Sequence, residues 1–198
     1  EASSRSGLLS WRKRTGASRL TPRFSLLYDV IRWEEKAIVE SAKKRGVDVE
    51  LVDSKDLSLD LSARLPLGEH PVLQRCVSYF RNVHSTAALE ALGQRVVNSF
   101  RCASLCGNKL FGTLELIRHG VPTPRTALAL SEQAALNTAA KKIGYPAVLK
   151  PVVGSWGRLS AKLNDEDAAR AVVEDREEMF PLYQVYYLQE FVKRPPRD

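Results

Sequence analysis

Apolar and polar positions follow two different periods along the chain, and this predicts strands separated by helices. Residues 24–29 form a short apolar run that is typical of a buried strand, and residues 47–52 alternate apolar and acidic positions like a second strand. Between them, residues 33–45 follow a helical spacing that Gly46 ends. Strands that alternate with helices favour parallel pairing, so this part predicts an open α/β sheet.

The alternation continues to about residue 100. Residues 71–77 and 95–98 predict two further strands, and residues 84–92 predict a helix that ends at Gly93. The inward face of the first helix is predicted to consist of Ala37, Ile38, Ser41, Ala42 and Arg45. Residues 24–100 are therefore expected to form one unit.

Residues 101–182 change to an α+β pattern. Helices are predicted over residues 108–119 and 131–143, and a third begins at a cap on Asn164. The side chains expected to face inward on the first two are Leu110, Thr113, Leu114 and Ile117, then Leu136, Ala140 and Ile143. A short strand at 126–130 separates these two helices.

A β-hairpin and a last strand complete the predicted second unit. Residues 145–150 and 159–163 form the hairpin, and residues 186–192 form the strand. Residues 183–198 are interpreted as the start of a further subdomain. Because the chain stops soon after this strand, the strand is expected to lie at an unpaired sheet edge and to reduce stability.

The hairpin turn carries the strongest chemical signal. Lys150 ends its first strand, and the turn runs Gly154-Ser155-Trp156-Gly157-Arg158. Backbone N–H groups of a glycine-bearing turn can face a phosphate, and Lys150 and Arg158 would bring positive charge to the same anion. A solvent-exposed turn with ordinary flanking charges explains this stretch equally well when it is taken alone.

Two other stretches are candidates for the same site. Lys109 lies at a predicted helix start, where a positive charge is unfavourable unless an anion is near. Gln189 and Glu190 lie in the last strand, whose backbone could read the edge of an adenine. The alternatives are a solvated lysine and an ordinary charge on a strand edge.

Composition and charge remove several function classes. Six of the 30 basic side chains lie in residues 1–23 with a single acidic one, so most of the net charge of +7 belongs to this tail and nucleic-acid binding is not favoured. The Ser/Arg-rich tail is interpreted as disordered and dispensable, with a targeting segment as the alternative. No apolar run is long enough to span a bilayer.

The three cysteines, Cys76, Cys102 and Cys106, indicate reduced thiols and a cytoplasmic protein. The Cys102-x-x-x-Cys106 pair lacks a second pair of cysteine or histidine ligands at suitable spacing, so a metal site is not expected.

Three motifs in this order resemble the ATP-grasp ligases, and within their RimK-like group the LysX/ArgX branch. They are Gly107-Asn108-Lys109, then Leu149-Lys150-Pro151 followed by Gly-Ser-Trp-Gly-Arg at 154–158, then Gln-Glu-Phe-Val at 189–192. The resemblance implies a pre-ATP-grasp α/β domain at 24–100, a central lid subdomain at 101–182, and the start of a C-terminal catalytic subdomain at 183–198 that is mostly missing.

The same resemblance implies an enzyme that uses ATP and Mg²⁺ to activate a carboxylate as an acylphosphate. In this branch, the carboxylate is the C-terminal glutamate of a small acidic carrier protein, and the attacking amine is that of α-aminoadipate or glutamate. The reaction serves lysine or arginine biosynthesis. Ligases that add glutamate to a ribosomal protein or peptide, and an ATP-binding module without ligase activity, are the alternatives; a homo-oligomer is left open.

The resemblance also assigns nucleotide contacts. Lys109 and Lys150 are assigned to the phosphates, Gly154, Ser155, Trp156, Gly157, Arg158, Leu159 and Ser160 to the lid, Gln189, Glu190, Phe191 and Val192 to the adenine pocket, and Asp198 to the vicinity of the nucleotide. No catalytic residue or metal ligand is assigned to these 198 residues. Because the Mg²⁺ ligands are expected beyond residue 198, the chain by itself is predicted to be inactive.

Overall fold

The computed structural model describes residues 21–179 and 181–194, and these form two four-stranded sheets with helices packed against them. The expectations for the tail at residues 1–20 and for Asp198 lie outside the described residues. Arg23, which was assigned to the tail, is the first residue of the first strand and pairs with Asp48.

The first sheet confirms the predicted parallel α/β unit. Its strands are β1 Arg23–Tyr28, β2 Asp48–Asp53, β3 Val72–Gln74 and β4 Val96–Val97. They lie in the order β2-β1-β3-β4, and every neighbouring pair is parallel. Leu27, Val72 and Leu89 are fully buried in its core, as expected for apolar runs covered by helices.

The helices of this half are α1 Trp33–Lys44, α2 Tyr79–Ala91 and α3 Phe100–Gly107. α2 begins five residues before the predicted start, because the Ser78 side chain accepts a hydrogen bond from the backbone N–H of Arg81 and caps the helix. α3 was not predicted, although Ser99 caps it in the same way.

The predicted inward face of α1 is partly wrong. Ala42 is buried as expected, whereas Ala37 and Arg45 are exposed. The other buried residue of the helix is Glu35, whose side chain is only 1% exposed. A carboxylate can occupy this position because two arginines, described below, neutralise it.

The second sheet is antiparallel and contains the predicted hairpin. Its strands are β5 Thr126–Ala129, β6 Ala147–Lys150, β7 Ala161–Leu163 and β8 Tyr186–Glu190, in the order β5-β8-β6-β7. β8 lies in the middle of the sheet, between β5 and β6. The expectation that the last strand lies at an unpaired edge is therefore wrong, because β8 pairs on both sides.

Helices α5 Glu132–Thr138 and α6 Glu166–Glu177 cover this sheet. α5 continues into a π-helical turn, Ala139–Ile143, and the wider turn rotates the following side chains so that Ala139 and Ile143 are buried but Ala140 is exposed, contrary to prediction. The cap of α6 is Asp165 rather than Asn164, since the Asp165 carboxylate accepts from the backbone N–H of Ala168 at 2.8 Å.

Helix α4 Lys109–Arg118 connects the two sheets. Its only fully inward residue is Thr113, whose hydroxyl lies 2.7 Å from that of Tyr187. Leu114 and Ile117 were predicted to face inward but are 50% and 55% exposed. The apolar spacing of α4 was correctly recognised, but within the described residues this face has no element packed over it.

Candidate functional site

The start of α4 is joined directly to the loop between β6 and β7. The Asn108 side chain caps α4 by accepting from the backbone N–H of Leu110 at 3.0 Å. The backbone N–H of Lys109 donates to the carbonyl of Val152 at 2.7 Å, and Asn108 forms an antiparallel bridge with Val153. The loop at residues 151–160, which we call the flap, therefore has its first half fixed against the helix that carries Lys109.

The structure brings Lys109 and Lys150 together. The Lys109 Nζ donates to the Gly154 carbonyl at 2.6 Å, and the Lys150 Nζ donates to the Gln189 Oε1 at 2.7 Å. Burial lowers the pKa of both amines, and the positive charge of Lys150 lowers the pKa of Lys109 further. Two amines that repel each other and that bind only neutral oxygens in the described part of the chain have the charge and surroundings that suit an anionic ligand.

Hydrogen bonds fix the orientation of the Gln189 amide. Its Nε2 donates to the Thr126 hydroxyl at 3.0 Å and to the Tyr187 hydroxyl at 2.8 Å. These bonds turn the Oε1 of this 7% exposed side chain toward Lys150. Because Tyr187 also contacts Thr113, the network connects β8 to α4 and positions the Lys150 amine. The sequence assigned none of Thr126, Tyr187 and Thr113 to the site, although Thr113 was expected to face inward.

The tip of the flap is exposed to solvent. Trp156 and Leu159 adopt φ values of 60° and 58°, which is unusual for side chains of this size, and the Trp156 side chain is 87% exposed. Residues 154–160 are all exposed. Of the predicted lid residues, Gly154 accepts a hydrogen bond from Lys109, whereas Ser155, Trp156, Gly157, Arg158, Leu159 and Ser160 are exposed to solvent.

The second half of the flap is held from below by an arginine that sequence reasoning missed. Arg176 on α6 is 6% exposed, and its Nη2 donates to the Leu159 carbonyl at 2.8 Å. Arg176 follows Ala169 and Val173 at helical spacing on the buried face of α6, and this spacing could have identified it from the sequence.

The four residues predicted to contact adenine, at the end of β8, lie in three different surroundings. Glu190 and Val192 line a hollow of about 610 Å³ together with the loop at residues 122–124. The Glu190 Oε1 accepts from the backbone N–H of Arg125 at 2.9 Å. Phe191 instead packs under Lys162, whose Nζ lies 4.3 Å from the ring centroid. Gln189 belongs to the lysine network rather than to this hollow.

A second hollow, which we call the interdomain cleft, lies between the first sheet and the flap and has a volume of about 580 Å³. Its walls come from the loop after β3, the first turn of α2, the inner side of α3 and the start of the flap, and all three cysteines lie on them. This cleft was not predicted from the sequence, because α3, which forms one of its walls, was not predicted.

Residues 21–179 and 181–194 contain neither a candidate metal cluster nor a helix that could span a membrane. No cluster of three or more histidine, cysteine or acidic side chains there could hold a metal ion. No helix in this part is long and apolar enough to cross a membrane.

Comparison with known proteins identifies relatives for most of the chain. The LysX preATP-grasp domain family matches residues 24–105. The α-aminoadipate–LysW ligase LysX of Saccharolobus solfataricus is 39% identical over 169 residues, which is 84% of this chain and 61% of that protein. The glutamate–LysW ligase ArgX of Sulfolobus acidocaldarius is 33% identical over 178 residues, covering 89% of this chain and 62% of the relative.

A solved structure extends the similarity to the fold. The crystal structure of a RimK domain ATP-grasp protein from Sphaerobacter thermophilus superimposes with a TM-score of 0.74 at 30% identity, covering 87% of this chain and 65% of the other. This confirms the predicted ATP-grasp fold. The chain spans about three-fifths of the length of the curated relatives it matches. Over that span, the chain is similar in sequence to the LysX and ArgX ligases and has the fold of a RimK-like ATP-grasp protein.

Proposed function

We propose that the whole protein is an ATP-dependent carboxylate–amine ligase of lysine or arginine biosynthesis. It activates the C-terminal glutamate of a small acidic carrier protein as an acylphosphate and joins this glutamate to the amine of α-aminoadipate or of free glutamate. The relatives are named as ligases that act on LysW with one or the other amino acid, so LysW is the type of carrier we propose. The cytoplasm is the expected compartment.

The observation that carries the proposal is the convergence of Lys109, which donates to the Gly154 carbonyl, and Lys150, whose charge acts on Lys109. Two partly desolvated amines with neutral oxygen partners fit the negative charge of a triphosphate. In this scheme the two ammonium groups bind phosphate oxygens and stabilise the charge that shifts during phosphoryl transfer. The flap then closes over the phosphates and excludes water from the acylphosphate.

The reaction has two balanced steps. A carboxylate oxygen attacks the γ-phosphorus of ATP and forms an acylphosphate, with ADP as the leaving group. The amine then attacks the acyl carbon, loses a proton and expels inorganic phosphate, which leaves an amide. Mg²⁺ would neutralise phosphate charge in the first step, and its ligands are not assigned to the residues described here.

An assay of the whole protein with ATP, Mg²⁺ and purified LysW tests the proposal. We expect the mass of LysW to increase by one aminoadipyl or glutamyl residue, with release of one ADP per LysW modified. Parallel reactions with α-aminoadipate and with glutamate identify the amino acid. Transfer of glutamate to a ribosomal protein or peptide, with LysW unmodified, would favour the RimK-type alternative.

The 198 residues are a useful second sample for the same assay. We predict that they bind ATP without forming product, because ATP contacts are assigned to this part of the chain and metal ligands are not. ATP binding without product from either sample would favour a binding module, and failure of both samples to bind ATP would contradict the proposed function.

A further inference from the structure

Tyr187 lies between the two elements that carry the lysines of the candidate site. In the antiparallel pair of β6 and β8, Tyr187 is directly opposite Lys150, so the two side chains share one face of the sheet. On α4, Thr113 lies one turn after Lys109 and on the same side of the helix. The hydroxyls of Thr113 and Tyr187 are 2.7 Å apart. One tyrosine side chain therefore reaches the surroundings of both amines.

The hydrogen bonds around Gln189 allow a single orientation of its amide. The Thr126 hydroxyl donates its proton to the Pro124 carbonyl at 2.8 Å, so it accepts from Gln189 and the Nε2 must lie there. The Lys150 ammonium can only donate, so the Oε1 must face it. The second Nε2 proton goes to the Tyr187 oxygen at 2.8 Å. Tyr187 therefore supplies one of the two bonds that hold the amide as Lys150 requires.

The proton of the Tyr187 hydroxyl continues the network to α4. Its acceptor among the described residues is the Thr113 hydroxyl. Tyr187 is 2% exposed and Thr113 is 7% exposed, so a lost bond would leave a buried polar group without a partner. The donors run in one direction, from Lys150 through Gln189 and Tyr187 to α4.

The position of α4 over the second sheet depends on this contact. Thr113 is the one buried residue of α4, whereas Leu114 and Ile117 are about half exposed. Within residues 21–179 and 181–194, the Thr113–Tyr187 pair is the hydrogen bond that joins α4 to β8. It therefore helps to set the distance between Lys109, one turn away, and the sheet that carries Lys150.

We infer that Tyr187 is a positioning residue for the phosphate site, the pair of amines proposed above to bind the triphosphate. Its hydroxyl fixes the Lys150 amine through Gln189. The same hydroxyl fixes the Lys109 amine through Thr113. Tyr187 does not contact the phosphates in this scheme, but it holds the two groups that do. The inference rests on the proposed function, because it takes the two amines as ligands of ATP.

The neighbouring tyrosine provides a matched control. Tyr186 is fully buried on the opposite face of β8, and its hydroxyl donates to the Glu177 Oε1 on α6. Tyr186→Phe and Tyr187→Phe each remove one buried hydroxyl from the same strand. In the whole protein, we expect Tyr187→Phe to raise the dissociation constant of an ATP analogue, measured by calorimetry with Mg²⁺, at least about five-fold. Tyr186→Phe is expected to leave this constant unchanged.

The pH dependence of binding distinguishes positioning from a general loss of stability. A fixed amide oxygen stabilises the charged form of Lys150, and the charge of Lys109 acts on this amine in every variant. Without the Tyr187 hydroxyl the amide is held less firmly, so the pKa of Lys150 is lowered further. The affinity of Tyr187→Phe should therefore begin to fall at a lower pH than that of the wild type, whereas Tyr186→Phe should keep the wild-type profile.

Thr113 tests the part of the network that leads to α4, and it decides the point if Tyr187→Phe folds poorly. Thr113→Val replaces the hydroxyl with a methyl group and is expected to raise the same dissociation constant at least about three-fold. Thr113→Ser retains a hydroxyl and should restore most of the lost affinity. Adding Thr113→Val to Tyr187→Phe should weaken binding little further, because both changes remove the same bond.

The outcomes separate this inference from the proposed function. Normal affinity in Tyr187→Phe, equal losses of affinity in the two Phe variants, or normal affinity in Thr113→Val would overturn the inference and leave the ligase proposal intact. A wild-type protein that neither binds ATP nor ligates would instead contradict the proposed function, and this inference with it.

Discussion

Two clusters of basic side chains in this molecule are built in opposite ways. Near the end of β1, Arg32 and Arg75 both point their guanidinium groups at Glu35, with Arg32 Nη2 and Arg75 Nη2 at 3.1 and 2.8 Å from its Oε1. At the flap, Lys109 and Lys150 donate to a backbone carbonyl and an amide oxygen. The first cluster contains its own counter-charge, and the second has none among the described residues.

The difference is visible in the protonation of each cluster. Burial alone would raise the pKa of the Glu35 carboxyl, but hydrogen bonds from Arg32 and Arg75 outweigh it and lower the pKa to about 2. Both lysines instead have lowered pKa values because burial disfavours their charge and no acidic side chain among residues 21–179 and 181–194 compensates. A charge-matched cluster holds the fold together, whereas cations matched only by neutral dipoles are suited to an anionic ligand.

Asp29 belongs to the first type. Its carboxylate accepts from the backbone N–H groups of Val77 and Ser78 at 2.8 and 2.9 Å and lies 3.4 Å from the Arg81 Nη1. Burial would raise its pKa, yet these bonds lower it. The carboxylate thereby ties the end of β1 to the start of α2, which forms a wall of the interdomain cleft.

The largest predicted effect is on stability and comes from Glu35→Gln. The amide leaves two guanidinium groups without their counter-charge, and breaking a buried ion pair costs about 3–5 kcal/mol. Because the two arginine side chains are 35% and 31% exposed, we expect a loss near the lower end, about 3 kcal/mol, in the free energy of unfolding measured with urea.

Acid titration sharpens this test. The Glu35 carboxyl contributes its stability above the ordinary pKa of 4.5 and loses it as the pH falls toward about 2, so the wild type should weaken steeply in that window and Glu35→Gln should weaken less. Glu40→Gln, at an exposed position of the same helix, is the control and should match the wild type. Equal stability of the two variants would show that the cluster does not support the fold.

The second effect is on nucleotide affinity. Lys109→Met and Lys150→Met keep the aliphatic stem and remove the charge, and a hydrogen bond to a charged group contributes about 1.5–3 kcal/mol. We expect the dissociation constant of an ATP analogue, measured by calorimetry, to rise about 10- to 100-fold in each variant, with stability unchanged or improved because a desolvated amine is removed.

Lys142→Met, on the exposed π-helical turn, controls for the change in net charge and should bind like the wild type. If the Lys109 and Lys150 variants also bind normally, the two clusters do not differ in function and the amines are structural.

The sequence predicted the elements whose signals are local and missed what depends on partners. The parallel unit and the hairpin were expected from the periods of apolar residues. The proximity of Lys109 and Lys150 was expected from the order of the motifs. Glu35 was missed because its burial depends on Arg75, forty residues away. A helical period alone assigns such a carboxylate to solvent.

The prediction that β8 lies at a sheet edge was wrong for a related reason. Nothing in residues 186–192 indicates that β5, which precedes it by sixty residues, will pair with its free side. The network from Gln189 through Tyr187 to Thr113 depends on that pairing, so the sequence supplied the two lysines and omitted the groups that hold them in place.

The smallest predicted effect concerns protons and separates the clusters without mutation. In the window between the lowered pKa of the lysines and their ordinary value of 10.5, part of the free protein carries a neutral amine. Bound phosphate favours the charged amine and raises its pKa, so ATP binding should take up protons there, and the affinity should fall a few-fold as the pH rises through the window. The unfolded chain binds more protons in the same window, so the free protein should also become more stable as the pH rises.

Calorimetry in buffers of different ionisation enthalpy measures the proton uptake on ATP binding, which Lys150→Met should reduce and Glu35→Gln should not. Proton release on binding, or an affinity that is flat across the window, would mean that the anion does not meet these amines.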